Sequence, residues 1–200
     1  QCGKENNTLE SVRPTKHTAP VALYALQCHC PECEAESYNY NGRYFKAPDE
    51  YDIRRINGAE AEWAKRKDAD LAEYWPKEIC WDAYMMRANG GVNDGWGYTH
   101  WWKMFNPRQL LVHTQILSFI THSTDSHSPD VCEQVLGGLQ QYLRNQNMFC
   151  FWDISRDCMA PALSNANFHP KNNVVENCIF HRLGRGNFIS TKQNVTAGLE

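Results

Sequence analysis

The feature that most constrains this chain is a cluster of three cysteines within six residues, Cys28-His29-Cys30-Pro31-Glu32-Cys33. Two thiolates separated by two residues can be aimed at one point by a tight turn, and a structural zinc ion takes four such ligands. Cys30 and Cys33 have this spacing, and Pro31 helps to set the turn. Strand-like runs at residues 21–27 and 42–47 flank the cluster, and Asn41-Gly42 is a turn signal. The pattern predicts a small β-hairpin clamped by zinc.

The other ligands of this zinc site are open on sequence grounds. Cys2 is followed by Gly3, and a glycine after the second cysteine of a knuckle can take the positive φ that the turn requires. If Cys2 closes such a knuckle, its partner thiol precedes Gln1 and the first knuckle is truncated. Cys28 is the alternative fourth ligand. The candidate ligands are therefore Cys2, Cys28, Cys30 and Cys33, with His17 and His29 as weaker choices. An all-thiolate set predicts a closed, structural site.

Cysteine usage and charge bound the class of protein. The nine cysteines are an odd number, clustered early and scattered later, behind a start that carries no apolar signal segment. This favours a metal site plus reduced thiols in a cytoplasmic protein over a disulfide framework. A net charge of −3 shows no global basic excess, so any nucleic-acid contact has to be local. No apolar run approaches the roughly 20 residues of a membrane span, and we expect no membrane partner.

The composition changes along the chain and divides it into four parts. Residues 1–47 read as the zinc ribbon, and residues 48–105 read as a helical and loop connector in which Gly58 divides the first helical stretch into two pieces. Residues 106–147 read as an antiparallel helix pair. Residues 148–200 read as a segment of short strands and loops, with an apolar run at 148–154 and a further short strand at 174–175 or 178–180.

Two helix starts in the third part follow one local pattern. Asn106 and Ser128 are placed as N-caps, and each is followed by a proline at the first helical position, where the missing N–H costs nothing. In the second helix the apolar spacing predicts a buried face made of Val131, Val135, Leu136, Leu139, Tyr142 and Leu143.

No motif in the chain carries recognisable catalytic chemistry. His113 and His122 lack the i, i+4 spacing of a helical metal pair, so we interpret them as core or surface histidines. The glycine-rich run at 88–100 has neither of the two glycine spacings that are typical of phosphate-binding loops, G-x-x-x-x-G-K-[ST] and G-x-G-x-x-G. In the run 181–188, Arg182 and Arg185 beside two glycines could approach a phosphate, although a plain tight turn is the competing interpretation.

Three segments together resemble a known family. They are GRYFKAPDEYDIRRI, GYTHWWKMFNPRQLL, and YLRNQNMFCFWDISRD with the following NANFHPKNNVVENCIFHRLGRGNF. In this order they are similar to the middle of the adenine-specific DNA methylases that contain a zinc ribbon, including relatives encoded near anti-phage genes. The resemblance implies transfer of a methyl group from S-adenosylmethionine to adenine N6 in DNA. It also implies a Rossmann-like fold into which the ribbon is inserted.

The motifs that carry catalysis in that family are not found in this chain. The cofactor motif precedes the ribbon in the family, and the catalytic Asp/Asn-Pro-Pro-Tyr/Phe motif follows the segment seen here. Asn106-Pro107 continues with an arginine and His169-Pro170 with a lysine, so neither matches. The resemblance therefore gives no catalytic and no cofactor-binding residue, and we expect the chain to be inactive alone.

The resulting expectation is an α+β chain with an N-terminal zinc ribbon and a mainly helical remainder, forming the central segment of a methyltransferase that serves restriction or anti-phage defence. Its expected partners are DNA and the rest of the methyltransferase domain, and its expected cofactors are structural zinc and, in the full-length protein, S-adenosylmethionine. The candidate DNA contacts are Arg108, Arg182 and Arg185. The alternative is a noncatalytic zinc-ribbon module that binds nucleic acid or protein.

Overall fold

The computed structural model describes residues 5, 17–18, 20–37, 39–79, 96–123, 126–161, 174–180 and 186–198. These residues form a mixed α+β fold with five helices and two small antiparallel sheets. The elements in chain order are β1 (Leu26–His29), α1 (Pro31–Ala35), β2 (Arg43–Lys46), α2 (Glu50–Arg66), α3 (Pro107–His122), α4 (Pro129–Leu143), β3 (Phe151–Asp153), β4 (Cys158–Ala160) and α5 (Phe188–Ala197). No helix in these ranges is long and apolar enough to cross a membrane.

The cysteine cluster lies in a β-hairpin, as predicted. Strands β1 and β2 pair antiparallel, with Cys28 opposite Tyr44, and the short helix α1 fills the connection between them. The chain returns to β2 through a turn at Asn39–Gly42, in which Tyr40, Asn41 and Gly42 all have positive φ. Asparagine and glycine tolerate this left-handed region, so the Asn-Gly signal sets the geometry of the turn.

Helix α2 is a single uninterrupted helix, so the predicted break at Gly58 is wrong. A capping box starts the helix: the Asp49 carboxylate accepts from the Asp52 backbone N–H, and the Asp52 carboxylate accepts from that of Asp49, both at 3.0 Å. Trp63, one turn from the other end, is buried in the core. A helix-interior glycine costs only about 1 kcal/mol relative to alanine, which the capping box and the packing of Trp63 offset.

Gly58→Ala should raise the free energy of unfolding by about 0.5–1 kcal/mol. A β-carbon at this position meets no atom within 4 Å, so the substitution lowers the entropy of the unfolded chain without a clash. Urea unfolding followed by tryptophan fluorescence measures the change. Ala61→Gly, at an exposed position of the same helix, is the matched reverse and should lower stability by a similar amount. A lower unfolding midpoint for Gly58→Ala would contradict the open environment.

Helices α3 and α4 begin as the sequence predicts. The Asn106 side chain accepts from the Gln109 backbone N–H at 2.8 Å, and the Gln109 side chain accepts from the Asn106 backbone N–H, which completes a capping box. The Ser128 hydroxyl accepts from the Val131 N–H at the start of α4. α3 packs against both α2 and α4, and α5 packs against α4.

The predicted buried face of α4 is wrong in part. Val131 and Val135 are 45% and 44% exposed, and Leu136 is also exposed. The face that packs against α3 and α5 instead runs through Cys132, Gly138 and Tyr142, with Leu139 and Leu143 half-buried. The apolar spacing of α4 fits both faces, and the positions of α3 and α5 decide which one is covered.

The core is built largely from aromatic side chains. One cluster comprises Trp63, Leu71, Leu110 and Leu111 with Trp75 and Trp102 packed against it, and a second comprises Met104 and Phe149 with Tyr98 and Trp101. The hairpin of β3 and β4 connects this body to the cysteine hairpin. Phe45 of β2 meets Trp152 of β3 edge to face, and Arg43 lies 3.7 Å from the Asp157 carboxylate. The hairpin that carries the cysteines is therefore attached by packing as well as by the chain.

Candidate metal centre

Cys30 and Cys33 form a compact thiol pair at the start of α1. Cys30 is the residue before the helix, Pro31 is its first residue, and Cys33 lies one turn further. The Cys30 N–H donates to the Gly42 carbonyl at 2.8 Å, and the Cys30 carbonyl accepts from the Glu34 N–H at 3.1 Å. These two bonds fix the Cys30 backbone, and the Cys30 and Cys33 thiols lie close enough for each to shift the pKa of the other. Both side chains are half-buried, so the pair remains open to a ligand from solution.

The two thiols have different acidities because of their contacts. The backbone N–H of Cys33, followed by the Cys33 thiol, lowers the pKa of Cys30. The pKa of Cys33 is raised, first by its hydrogen bond to the Cys30 sulfur and then by burial. Zinc binds the thiolate form, which the lowered pKa favours at Cys30.

Gly42 is the close neighbour of this pair. Its φ is +75°, and a β-carbon added there would lie 2.3 Å from the Cys30 carbonyl oxygen and 3.0 Å from the Glu34 backbone nitrogen. Only glycine allows the returning chain to approach the turn this closely. The glycine of the Asn-Gly turn therefore also holds the geometry of the thiol pair.

The other candidate ligands in the hairpin have separate contacts. Cys28 is paired opposite Tyr44, and the charge of a Cys28 thiolate raises the pKa of Tyr44. His29 Nε2 lies 3.3 Å from a Glu34 carboxylate oxygen. Within the described ranges, no three histidine, cysteine or acidic side chains converge on a point that could hold a metal ion. Cys30 and Cys33 are brought together, whereas Cys2 lies outside the described residues.

No family model, no curated protein and no solved structure matches this chain. The resemblance to zinc-ribbon methylases thus stays a prediction from the three sequence segments. The site has to be interpreted from its own chemistry, which is that of a preformed pair of soft sulfur ligands.

Arg108 is the predicted DNA contact that the structure describes, and it forms an internal ion-pair cluster. Its guanidinium donates to the carboxylates of Glu60, on α2, and of Glu176; the bond from Nε to Glu176 Oε1 is 3.1 Å. Asn106 Nδ2 donates to the same Glu176 carboxylate at 2.6 Å. The start of α3 is thereby joined to α2 and to the segment at 174–180. Arg182 and Arg185 lie outside the described residues.

Arg108→Met should lower the free energy of unfolding by about 1 kcal/mol, because it leaves the half-exposed carboxylates of Glu60 and Glu176 without their shared cation. The measurement is the urea midpoint. Arg156→Met is the matched control, since the Arg156 side chain is 67% exposed and its ion-pair partner among the described residues is the neighbouring Asp153; it should change stability by about 0.5 kcal/mol or less. Equal effects of the two substitutions would contradict the structural role of Arg108.

The amide cluster at residues 145–147 was not predicted from the sequence. Gln146 Nε2 donates to the Cys178 carbonyl at 3.0 Å and to the Gly186 carbonyl at 3.4 Å, and Asn177 Nδ2 donates to the Asn145 carbonyl. Gln146 is fully buried. A run of three amides reads as a polar loop, and only its position between a helix and an apolar run hints at a buried role. These bonds hold the segments at 177–178 and 186–187 against the helical body.

Proposed function

We propose that this chain is the central segment of an S-adenosylmethionine-dependent, adenine-specific DNA methyltransferase and that its hairpin carries a structural zinc ion. In this role the chain supplies a stable ribbon and a surface that helps to position DNA. The chemistry belongs to the rest of the full-length protein, which in this family serves restriction or anti-phage defence. The cytoplasm is the compartment that suits free thiols and a DNA substrate.

The observation that carries the zinc assignment is the Cys30–Cys33 pair, held by Gly42 in a β-hairpin. Cys30 and Cys33 would hold one side of the ion, and Cys2 with Cys28, or with a cysteine preceding Gln1, would complete the set. Zinc bound by four thiolates has no open position, so it contributes folding energy and no reaction step. The pair fits this use, because both sulfur ligands are already placed within one turn at the start of α1.

The methyltransferase assignment is supported by the three similar segments and by the demands of the reaction. An enzyme that methylates adenine N6 takes the base out of the duplex, which requires protein surface to hold the flanking backbone. In this proposal Arg182 and Arg185 contact phosphate, and Arg108, through its ion pairs with Glu60 and Glu176, holds the start of α3 in place.

The decisive experiment uses the full-length protein. Its reading frame should encode a glycine-rich strand-turn-helix before the ribbon and an Asp/Asn-Pro-Pro-Tyr/Phe motif after this segment. The purified protein should form N6-methyladenine in duplex DNA when S-adenosylmethionine is added, as measured by nucleoside mass spectrometry. A variant with alanine at the first position of the downstream motif is the control and should be inactive. A full-length protein without both motifs, and without the modified base, would exclude the methyltransferase.

The second candidate, a noncatalytic zinc-ribbon binding module, is favoured by the exposed aromatic residues of the hairpin. Tyr24, Tyr40 and Tyr44 are 70%, 53% and 48% exposed, and the Arg43 guanidinium lies 5.1 Å from the centre of the Tyr40 ring. Exposed rings beside a cation are suited to stacking on unpaired bases. The module would bind single-stranded DNA in a fluorescence anisotropy titration of this chain, and Tyr40→Ala would weaken binding. Binding without any methylation by the full-length protein would favour this candidate.

A further inference from the structure

We propose that Cys30 and Cys33 are also a redox pair, which a small disulfide oxidant converts into an intramolecular disulfide that no longer binds zinc. The formation of the disulfide depends only on the hairpin geometry. The loss of zinc rests on the proposed function, because it requires a zinc ion at this site. Oxidation would then release the metal that stabilises the hairpin.

The geometry of the hairpin selects this pair among the described cysteines. Cys30 immediately precedes α1 and Cys33 lies one helical turn further, and both thiols are free and half-buried. Cys28 lies nearby in sequence, but it belongs to β1, where it is paired opposite Tyr44 of β2. Cys132 and Cys150 are buried, and Cys150 is fully so. An oxidant from solution therefore meets two neighbouring, half-buried thiols at the start of α1.

The reaction is ordinary thiol–disulfide exchange. The Cys30 thiolate attacks one sulfur of a low-molecular-weight disulfide such as oxidised glutathione, and the other half of that disulfide leaves as a thiolate. The Cys33 thiolate then attacks the Cys30 sulfur of the mixed disulfide and expels the second glutathione thiolate. The two cysteines lose two electrons and two protons in total, and the oxidant is reduced to two thiols.

The fixed backbone of Cys30 favours the second step, so the mixed disulfide should not accumulate. The Cys30 N–H donates to the Gly42 carbonyl of the returning chain, and the Cys30 carbonyl accepts from the Glu34 N–H. Pro31 fixes the first residue of α1. Cys33 is thus held near the Cys30 sulfur at a high effective concentration. In the product the two sulfurs are joined by a neutral disulfide bond, so neither remains a thiolate ligand for zinc.

The test uses the full 200-residue chain. Zinc is first removed with a chelator, the protein is treated with oxidised glutathione, and its peptides are mapped by mass spectrometry. We expect a peptide that has lost two hydrogens and is linked between Cys30 and Cys33, and dithiothreitol should reverse the change. Cys33→Ser should stop at a stable glutathione adduct on Cys30. Cys158→Ser, which removes another half-buried thiol, should leave the linkage unchanged. A bond from Cys28 to either partner, or glutathione adducts alone in the unsubstituted chain, would overturn the pairing.

A second arm separates this inference from the zinc proposal. In zinc-loaded protein, a colorimetric chelator should report about one zinc released for each disulfide formed. Disulfide formation with retained zinc would overturn the proposed consequence of oxidation. A chain that never binds zinc, yet forms the disulfide, supports the redox pair and refutes the zinc site. A chain that binds zinc through the pair, yet forms no disulfide after chelation, refutes the redox pair and leaves the zinc site standing.

Discussion

Gly42→Ala should destabilise the folded chain by about 2–5 kcal/mol. Two costs add at this position. Alanine in the left-handed region, at φ +75°, costs about 1–2 kcal/mol. A β-carbon 2.3 Å from the Cys30 carbonyl oxygen adds a steric term of about 1–3 kcal/mol, because the contact is with backbone and no side chain can move away. Since the displaced backbone is that of Cys30, the affinity for zinc should also fall.

Two measurements check this prediction. Urea unfolding in the presence of chelator gives the change in stability of the metal-free chain, and competition with a zinc chelator gives the change in metal affinity. Gly58→Ala is the control for the substitution itself, because it makes the same chemical change in open space and should act in the opposite direction. A Gly42→Ala chain with the unsubstituted midpoint and zinc affinity would refute the close approach.

Lowering the pH from 7 to 4 should remove about 3 kcal/mol of stability through one residue, His113. Burial lowers the pKa of His113 to about 4 from its ordinary 6.5, although its hydrogen bond to the Gln146 carbonyl opposes the shift. Its ring lies between those of Phe105 and Tyr142. The unfolded chain therefore binds a proton between pH 6.5 and 4 that the folded chain does not. The contribution of His113 to the free energy of unfolding is therefore fully present above pH 6.5 and is lost as the pH drops towards 4.

The pH dependence of the urea midpoint isolates this residue. His113→Gln removes the titrating group and should flatten the part of the stability profile between pH 6.5 and 4, whatever its effect at neutral pH. His122→Gln, at an exposed position near the end of the same helix, should retain the slope. A profile with the same slope in His113→Gln as in the unsubstituted chain would show that His113 does not titrate with a lowered pKa.

Features set by neighbouring residues were predictable from the sequence. The starts of α3 and α4 depend on a cap and a proline at adjacent positions, and the hairpin turn depends on Asn41 and Gly42. The pairing of Cys30 with Cys33 is equally local, because a separation of three residues and one proline define the turn. These features hold in the structure, since each depends mainly on residues adjacent in the chain.

Features set by distant contacts were not predictable. The continuity of α2 through Gly58 depends on a capping box and on Trp63 in the core. The exposed side of α4 depends on where α3 and α5 lie, since its apolar residues fit two faces. In the candidate site, the approach of Gly42 to Cys30 and the contact of Cys28 with Tyr44 follow from strand register, which the cysteine spacing does not encode.

The zinc content of the purified chain tests the proposed metal site most directly. Inductively coupled plasma mass spectrometry should find about one zinc per chain, and Cys30→Ser or Cys33→Ser should reduce this to nearly none, because each removes one of about four ligands. Cys158→Ser should keep the full content. Less than about half an equivalent in the unsubstituted chain, or full content after loss of Cys30, would contradict a structural zinc site in the hairpin.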